Sequence, residues 1–420
     1  MKRNNLKKDK ELFKSIKKER KRRKETLEMI PSENHTSPAV LEAMSTILTD
    51  KYAEGYPKKR YYGGNEYIDE VEVLAQKRAQ KLFNVPFANV QPYSGSPANM
   101  AVYLACMEPG DKVLGMCLKD GGHLTHGWKV SFSGIYYESS FYGVDEKTER
   151  IDLEEVERIA LEENPNLIWV GGSAYPREFD WKGFSKIADK VGAYLAADIA
   201  HIAGLIVAGA NSDPVDYVDI ITTTTHKTLR GPRGGMVMVT DKGLKKDPDL
   251  SKKINKAVFP GLQGGPHEHQ IAAKAVCFKE ALSDNFKEYG KTVVKNNKKL
   301  AEKLIENGFK LITDGSDNHL CLIDLRNKDI GGKKAEELLE IAGITINKNS
   351  IPNDPASPAN PSGIRIGTPA ITTRGMKESQ MVEIAKIMTR VLNQKEEKTA
   401  KRERRNIKKL AEKFPLPYDL

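Results

Sequence analysis

Residues 220–235 read Ile-Ile-Thr-Thr-Thr-Thr-His-Lys-Thr-Leu-Arg-Gly-Pro-Arg-Gly-Gly. A run of β-branched residues, which suits an extended strand, leads straight into His226 and Lys227 and then into a glycine-rich turn. The carboxyl end of a strand is where open α/β sheets bind ligands. Lysine forms Schiff bases once burial or neighbours lower its pKa. Taken alone, Lys227 reads more simply as a surface lysine in a turn.

The flanking sequence supplies the sheet. Three short apolar runs, Leu167–Val170, Ala193–Ala197 and Tyr217–Ile221, come in series, and a fourth, Gly235–Val239, follows the turn. Lys112–Met116 reads as a further strand, and Trp181–Lys190 and Asp69–Phe83 have helical spacing. Buried strands alternating with helices predict an α/β fold built on a mostly parallel sheet with right-handed crossovers. From about residue 281 lysine-rich helical stretches (Asn285–Gly308, Lys333–Ala342, Lys377–Leu392) alternate with short strands (Leu320–Leu325, Gly343–Asn347). We therefore expect a basic arm or helix over 1–30, a large domain over 31–280 and a smaller α+β domain over 281–420. The loop 350–362 carries Pro352, Pro355, Pro358 and Pro361, and a long proline-rich loop in a compact domain is more often functional than idle.

Two further pieces join Lys227. The run Tyr194–Ala197 ends in Asp198-Ile199-Ala200-His201. A carboxylate at the end of a buried strand must be paired or it would protonate. The protonated ring nitrogen of pyridoxal phosphate is such a partner, and its positive charge is what makes the ring an electron sink. A helix N-cap is the competing role for Asp198. Ser94-Gly95-Ser96-Pro97 precedes the mainly apolar run 98–107, and hydroxyls and backbone N–H groups at a helix start make a phosphate site. Phosphate cup, aspartate, lysine is the order found in large-sheet pyridoxal phosphate enzymes.

Composition excludes several other classes. The chain has 420 residues and a net charge of +10. Residues 1–28 carry thirteen Lys/Arg against five Asp/Glu and residues 395–413 carry nine against four, which leaves −3 for the remainder. The basic ends suit either RNA and other anionic surfaces or solvated helix faces. The N-terminal run has no aromatic interleaving beyond Phe13, which favours the second. The cysteines, Cys106, Cys117, Cys277 and Cys321, form no Cys-x-x-Cys pair, so we expect reduced thiols and no metal site. No run reaches the ~18 apolar residues of a membrane span. No apolar segment follows the basic start, and Asp9, Glu11 and Glu19 break a presequence pattern, so a cytoplasmic location is expected.

Longer segments carry a specific resemblance. They are Pro31–Asn34 (PSEN), Lys51–Pro57 (KYAEGYP), Arg60–Gly64 (RYYGG), Gly121–Gly127 (GGHLTHG), Asp198–Gly204 (DIAHIAG), Thr222–Gly235, Phe259–Pro266, Ile346–Asp354 (INKNSIPND) and Ser362–Ala370 (SGIRIGTPA). Over roughly residues 30–392 the chain resembles the serine hydroxymethyltransferases. These are pyridoxal-phosphate-dependent enzymes of the aspartate-aminotransferase-like large-sheet class, fold type I. The resemblance implies reversible conversion of L-serine and tetrahydrofolate to glycine and 5,10-methylenetetrahydrofolate, in a homodimer with shared active sites.

The resemblance also implies roles. Lys227 would hold the cofactor as a Schiff base and Asp198 its ring nitrogen. His201 would approach the phenolic oxygen, His123 would stack on one ring face and Ala200 would pack on the other. Thr224, Ser173 and His226 would complete the pocket. Ser94 and Gly95 would bind the phosphate, with Gly264 and Gly265 from a second subunit. Arg365, helped by Ser32, would bind the amino-acid carboxylate, since guanidinium matches a carboxylate bidentately. Glu54 would be the acid–base group and, with Tyr52 and Tyr62, would come from the neighbouring subunit. Leu118, Gly122, Leu124 and Asn349, with Ser357 and Pro358 nearby, would form the folate site. Ala359 stands where an aromatic residue is expected and Tyr93 where a histidine is common. The first departure leaves a tetrahydromethanopterin-type carrier open. A threonine aldolase or aminotransferase would share Lys227 and Asp198 without folate, and an RNA-binding role for the basic ends is the reading from another class.

Overall fold

The computed structural model describes residues 5–418. Residues 1–4, with Lys2 and Arg3 of the basic arm, and the last two residues lie outside it. Seven strands form the large sheet: β1 (Phe87–Asn89), β2 (Lys112–Met116), β3 (Glu138–Tyr142), β4 (Leu167–Val170), β5 (Tyr194–Asp198), β6 (Ile220–Thr224) and β7 (Gly235–Val239). Their spatial order is β1-β7-β6-β5-β4-β2-β3. Only β7 runs antiparallel to its neighbours, β6 and β1; the other pairings are parallel. This is the expected α/β architecture of fold type I. β4–β7 are buried on both faces, apart from the two ends of β5, as a sheet covered by helices requires.

Strand positions shift in two places. The expected strand Gly343–Asn347 divides into Ile344–Thr345, which pairs with Leu27–Glu28, and Asn347–Asn349, which joins a smaller sheet. The apolar run Tyr217–Ile221 is not itself the strand. Tyr217 and Val218 N–H both donate to the Pro214 carbonyl, closing a turn, so β6 begins at Ile220 and takes in the threonines through Thr224. The strands β1 and β3 and the helix Leu153–Glu163 were not expected from the sequence. β3, Glu-Ser-Ser-Phe-Tyr, is an edge strand whose first four residues are exposed or half-buried, so it lacks an apolar run.

A second, antiparallel sheet has the order β8-β9-β11-β10, with β8 Lys310–Leu311, β9 Leu320–Asp324, β10 Asn347–Asn349 and β11 Gly363–Gly367. The long helix Asp284–Glu306 joins the two cores. Phe286, Tyr289 and Val293 pack in the core of the large sheet, while Leu300, Ala301 and Leu304 pack in that of the small one. This two-sided burial fixes the small sheet against the large one.

The basic ends fold onto the small-sheet core. Helix Lys10–Glu25 is capped by Asp9, which accepts from Leu12 N–H at 3.0 Å, and buries none of its own residues. The chain then pairs Leu27–Glu28 in parallel with Ile344–Thr345 and buries Leu27 and Met29 fully. Helix Glu397–Lys413 buries Ala400, Ile407, Leu410 and Ala411, and its buried Glu403 takes a two-pronged bond from Arg390. Its lysines therefore form the outer face of an amphipathic helix. Buried Arg374 ties both ends down, donating to the carbonyls of Thr26 (2.7 Å), Ala411 (2.6 Å) and Phe414 (2.6 Å). Arg374→Ala leaves the Thr26 and Phe414 carbonyls without a donor, while the Ala411 carbonyl keeps the Phe414 N–H, and should lower the unfolding free energy by about 3 kcal/mol, read as a shifted urea midpoint. An unchanged midpoint would show that water replaces the guanidinium freely. Among the described residues no helix is long and apolar enough to cross a membrane, and all four cysteines are free.

Candidate active site

Adjacent strand ends create the site. Register pairs Asp198, the last residue of β5, with Thr222 of β6, so the carboxylate stands beside the strand that runs on to Lys227. Gly171, directly after β4, adopts φ +153°, and a Cβ there would lie 2.3 Å from the Asp198 carbonyl oxygen. Only glycine lets the β4 end approach β5 so closely. A narrow recess opens at these ends, lined by Gly95, His123, His126, Gly172, Ser173, Asp198, Ala200, His201, Thr224 and Lys227. The chain thus brings together eight of the residues the sequence nominated.

Lys227 sits in a braced turn. Its carbonyl accepts from Arg230 N–H at 3.1 Å and from Asn34 Nδ2 at 2.9 Å, and the neighbouring Thr228 hydroxyl donates to the His201 carbonyl at 2.9 Å. Burial pushes the Lys227 amine down to about 8; Asp198 opposes this, while Arg365 and Arg233 reinforce it. A useful fraction is therefore the neutral, nucleophilic amine near neutral pH.

Asp198 is the opposite case. Burial disfavours its charge, but the donors around it win and hold its carboxyl well below the usual carboxylate range. Oδ2 accepts from Asn99 Nδ2 at 2.8 Å and from His126 Nε2 at 3.1 Å, and Oδ1 accepts from Ala200 N–H at 3.0 Å. With about four acceptor positions on a carboxylate, one on Oδ1 remains. Asp198 is not the cap of a helix; the next helix, Ala203–Val207, has Ile202 at its cap.

The histidines divide by role. His123 Nδ1 lies 2.7 Å from the Thr125 hydroxyl, and that hydroxyl oxygen accepts from Asn99 at 2.8 Å, so the Thr125 O–H is left to donate to His123. Burial, against the pull of Asp198, lowers His123 to about 4 and keeps its ring neutral. His126, unassigned in the sequence reading, lies flat on Trp169 with centroids 5.1 Å apart. Its only sequence signal was its place in the Gly121–Gly127 segment. Polar atoms of His123, His126 and Asp198 fall within 4.8 Å of one another, a spacing a metal could use. The His126–Asp198 contact at 3.1 Å is, however, a hydrogen bond whose proton a metal would have to displace. Burial, with Arg233 and Lys227 nearby, lowers His226 to about 3, and its Nδ1 is buried with no hydrogen-bond partner among the described residues; its ring does not line the recess.

The start of helix Gly95–Cys106 faces β6. Ser94, its cap residue, makes no side-chain capping bond, so its hydroxyl and the first-turn N–H groups are open to an anion. A Cβ on Gly95 would lie 2.8 Å from Thr224 Cγ2, so a larger residue would close this cradle.

Arg365 of β11 reaches across from the small sheet. It donates through Nη1 to the Ser173 carbonyl and through Nε to Asn347 Oδ1 at 3.1 Å. Burial lowers it only to about 10, so it remains a cation. Ser32 is half-buried on a segment tied at both sides: the Met29 carbonyl accepts from Gly367 N–H at 2.8 Å, and Asn34 reaches Lys227.

A second group lies together without lining this recess. The rings of Tyr52 and Tyr62 meet edge to face at 5.1 Å. Glu54 Oε1 is 3.3 Å from where a Cβ of Gly264 would be, and Tyr52 covers Gly265 at the same distance. Tyr52 and Tyr62 are 55% and 50% exposed. None of these five residues lines the chain's own Lys227 recess. Of the residues nominated for folate, Gly122 is buried against the Met116 carbonyl, Leu118 and Asn349 are half-buried, and Leu124, Ser357 and Pro358 are exposed. Asp354 organises the loop of the last two, accepting from Ala356 and Ser362 N–H and from the Ser362 hydroxyl. None of the six lines the recess.

The donor set fits pyridoxal phosphate. A near-neutral lysine amine, an ionised aspartate with a spare acceptor position and an open helix start border one recess, which is the combination an aldehyde, a ring N–H⁺ and a phosphate need. A model of the family described as serine hydroxymethyltransferase, whose members are pyridoxal-phosphate-dependent and use folate, matches residues 6–388. The chain belongs to that family, and it is an enzyme of the glycine/serine hydroxymethyltransferase kind.

Proposed function

We propose that the chain converts L-serine and tetrahydrofolate reversibly to glycine and 5,10-methylenetetrahydrofolate, with pyridoxal phosphate held covalently by Lys227. The observation that carries this reading is the sharing of one recess by a lysine brought to about 8 and an aspartate held ionised. When bound, the cofactor supplies an electron sink for the pair left as the serine Cα–Cβ bond breaks. Asp198 keeps a negative charge where the ring nitrogen must stay protonated. His123 and Ala200 flank the ring, and Thr224, Ser173 and His226 shape the pocket. Ser94 and Gly95 hold the phosphate, joined by Gly264 and Gly265 of a second subunit.

Arg365, assisted by Ser32, orients the serine carboxylate. Glu54 moves a proton at the serine hydroxyl. With Tyr52 and Tyr62 it serves the active site of the other subunit of a homodimer. Exposure of Tyr52 and Tyr62 and the absence of the cluster from the recess lining support that arrangement. Leu118, Gly122, Leu124 and Asn349, with Ser357 and Pro358, receive the pterin. Residues 31–280 act as the cofactor domain and 281–420 as the domain that brings Arg365, in a protein that works in the cytoplasm.

The test is glycine formation from serine in three arms: tetrahydrofolate, tetrahydromethanopterin and no carrier. The reading requires conversion with tetrahydrofolate. Conversion with the second carrier alone would change the cosubstrate, and equal rates without any carrier would point to an aldolase-like enzyme.

A further inference from the structure

A buried histidine outside the recess faces one inside it. His319, on the chain entering β9, places Nε2 3.1 Å from His201 Nδ1, with ring centroids 5.3 Å apart. His319 is fully buried and His201 is 5% exposed. Burial and the nearby cations Lys227 and Arg365 push His201 well below its ordinary range and His319 to about 3. Both rings are therefore neutral, and one proton lies between the two facing nitrogens.

Two arrangements satisfy that contact. If His201 donates, His319 carries its own proton on Nδ1. That atom is buried with no hydrogen-bond partner among the described residues, so the arrangement buries an orphan N–H. If His319 donates from Nε2, its Nδ1 is an unpaired acceptor instead. A buried N–H without a partner is the rarer outcome in folded proteins, and each unsatisfied buried group carries a desolvation cost. The second arrangement is favoured. It makes His201 Nδ1 an acceptor and puts the His201 proton on Nε2, the remaining polar atom of a ring that lines the recess.

We infer that His319 is a positioning residue that fixes the tautomer of His201, so that His201 offers an N–H donor, not a lone pair, to an anionic oxygen in the recess. Both ends of His201 are then held: Thr228 grips its carbonyl from the Lys227 turn, and His319 grips its ring from the small sheet. The oxygen it addresses belongs to the cofactor or the amino acid, and this clause rests on the function proposed above. The opposite tautomer would set a lone pair against that oxygen.

The protein has only eight histidines, which makes ¹⁵N-histidine NMR of the full chain practical. In cofactor-free wild type the His201 signals, assigned with His201→Gln, should show an unprotonated Nδ1 and a protonated Nε2. His319→Gln, which retains a side-chain N–H donor, should keep that pattern. His319→Leu should give a mixture of His201 tautomers and weaken pyridoxal phosphate binding about tenfold, as expected for one hydrogen bond to a charged group. A wild-type His201 protonated on Nδ1 would overturn the inference, as would unchanged His201 signals in His319→Leu. The wild-type spectrum decides the matter even if the leucine variant fails to fold. Because the tautomer is read without cofactor or turnover, its failure is distinct from failure of the proposed reaction.

Discussion

Asp198→Asn should lower serine turnover by about 10²–10³-fold, the usual cost of removing one preorganised charge partner, while the protein stays folded. The amide oxygen can take the place of Oδ2 and keep the bonds from Asn99 and His126. Its NH₂ group then sits where Oδ1 accepts from Ala200 N–H, so a donor faces a donor. The last acceptor position, which the ring nitrogen needs, becomes a donor as well. The measurement is kcat with serine saturating, alongside a thermal melt to show that the fold survives. Turnover within threefold of wild type in a folded variant would remove Asp198 from the chemistry. The carboxyl is held well below the usual range, so its charge is lost only as pH falls through that depressed value. No acid limb near pH 4 in the wild-type profile should trace to Asp198.

The second large effect is complementation between subunits. Glu54→Gln and Lys227→Ala should each be nearly inactive alone, yet mixing them should restore activity. If Glu54 serves the partner's site, a mixed dimer contains one site with both Lys227 and Glu54 intact. Random mixing of a two-fold dimer then returns about one quarter of wild-type activity. If Glu54 acted within its own chain, every site in the mixed dimer would lack one group and nothing would return. The clustering of Glu54, Tyr52 and Tyr62 against Gly264 and Gly265, outside the recess of the same chain, is why recovery is expected. Mass spectrometry of differently tagged subunits verifies that hybrids formed.

Legibility of the sequence followed physical locality. Strands with continuous apolar runs, such as Lys112–Met116 and Gly235–Val239, stood out because both of their faces are covered. Strand Glu138–Tyr142 did not, because an edge strand with an exposed glutamate and half-buried serines lacks that signal. The line from Asp198 to Lys227 was readable since each lies at or just past a strand end, and register in a parallel sheet makes neighbouring ends converge. His126, Asn99 and Thr125 were not readable as a group. Asn99 and His126 reach Asp198 from 99 and 72 residues away, Thr125 is tied to them through Asn99, and nothing local distinguishes a histidine stacked on Trp169 from an ordinary core histidine. His319 lies 118 residues from His201, and only the packing of the small sheet on the large one brings them together. The charge of the two ends was legible, but its meaning was not. The C-terminal lysines are the outer face of a helix whose inner face carries Ala400, Ile407 and Leu410.

Covalent capture at Lys227 is the centre of this account. The direct measurement is borohydride reduction of the protein incubated with pyridoxal phosphate, followed by peptide mapping. The account predicts a pyridoxyl group on the peptide containing Lys227, with labelling that rises as pH climbs through about 8, where the amine loses its proton. Labelling spread over exposed lysines, or absent from Lys227 while the protein remains folded, would contradict it.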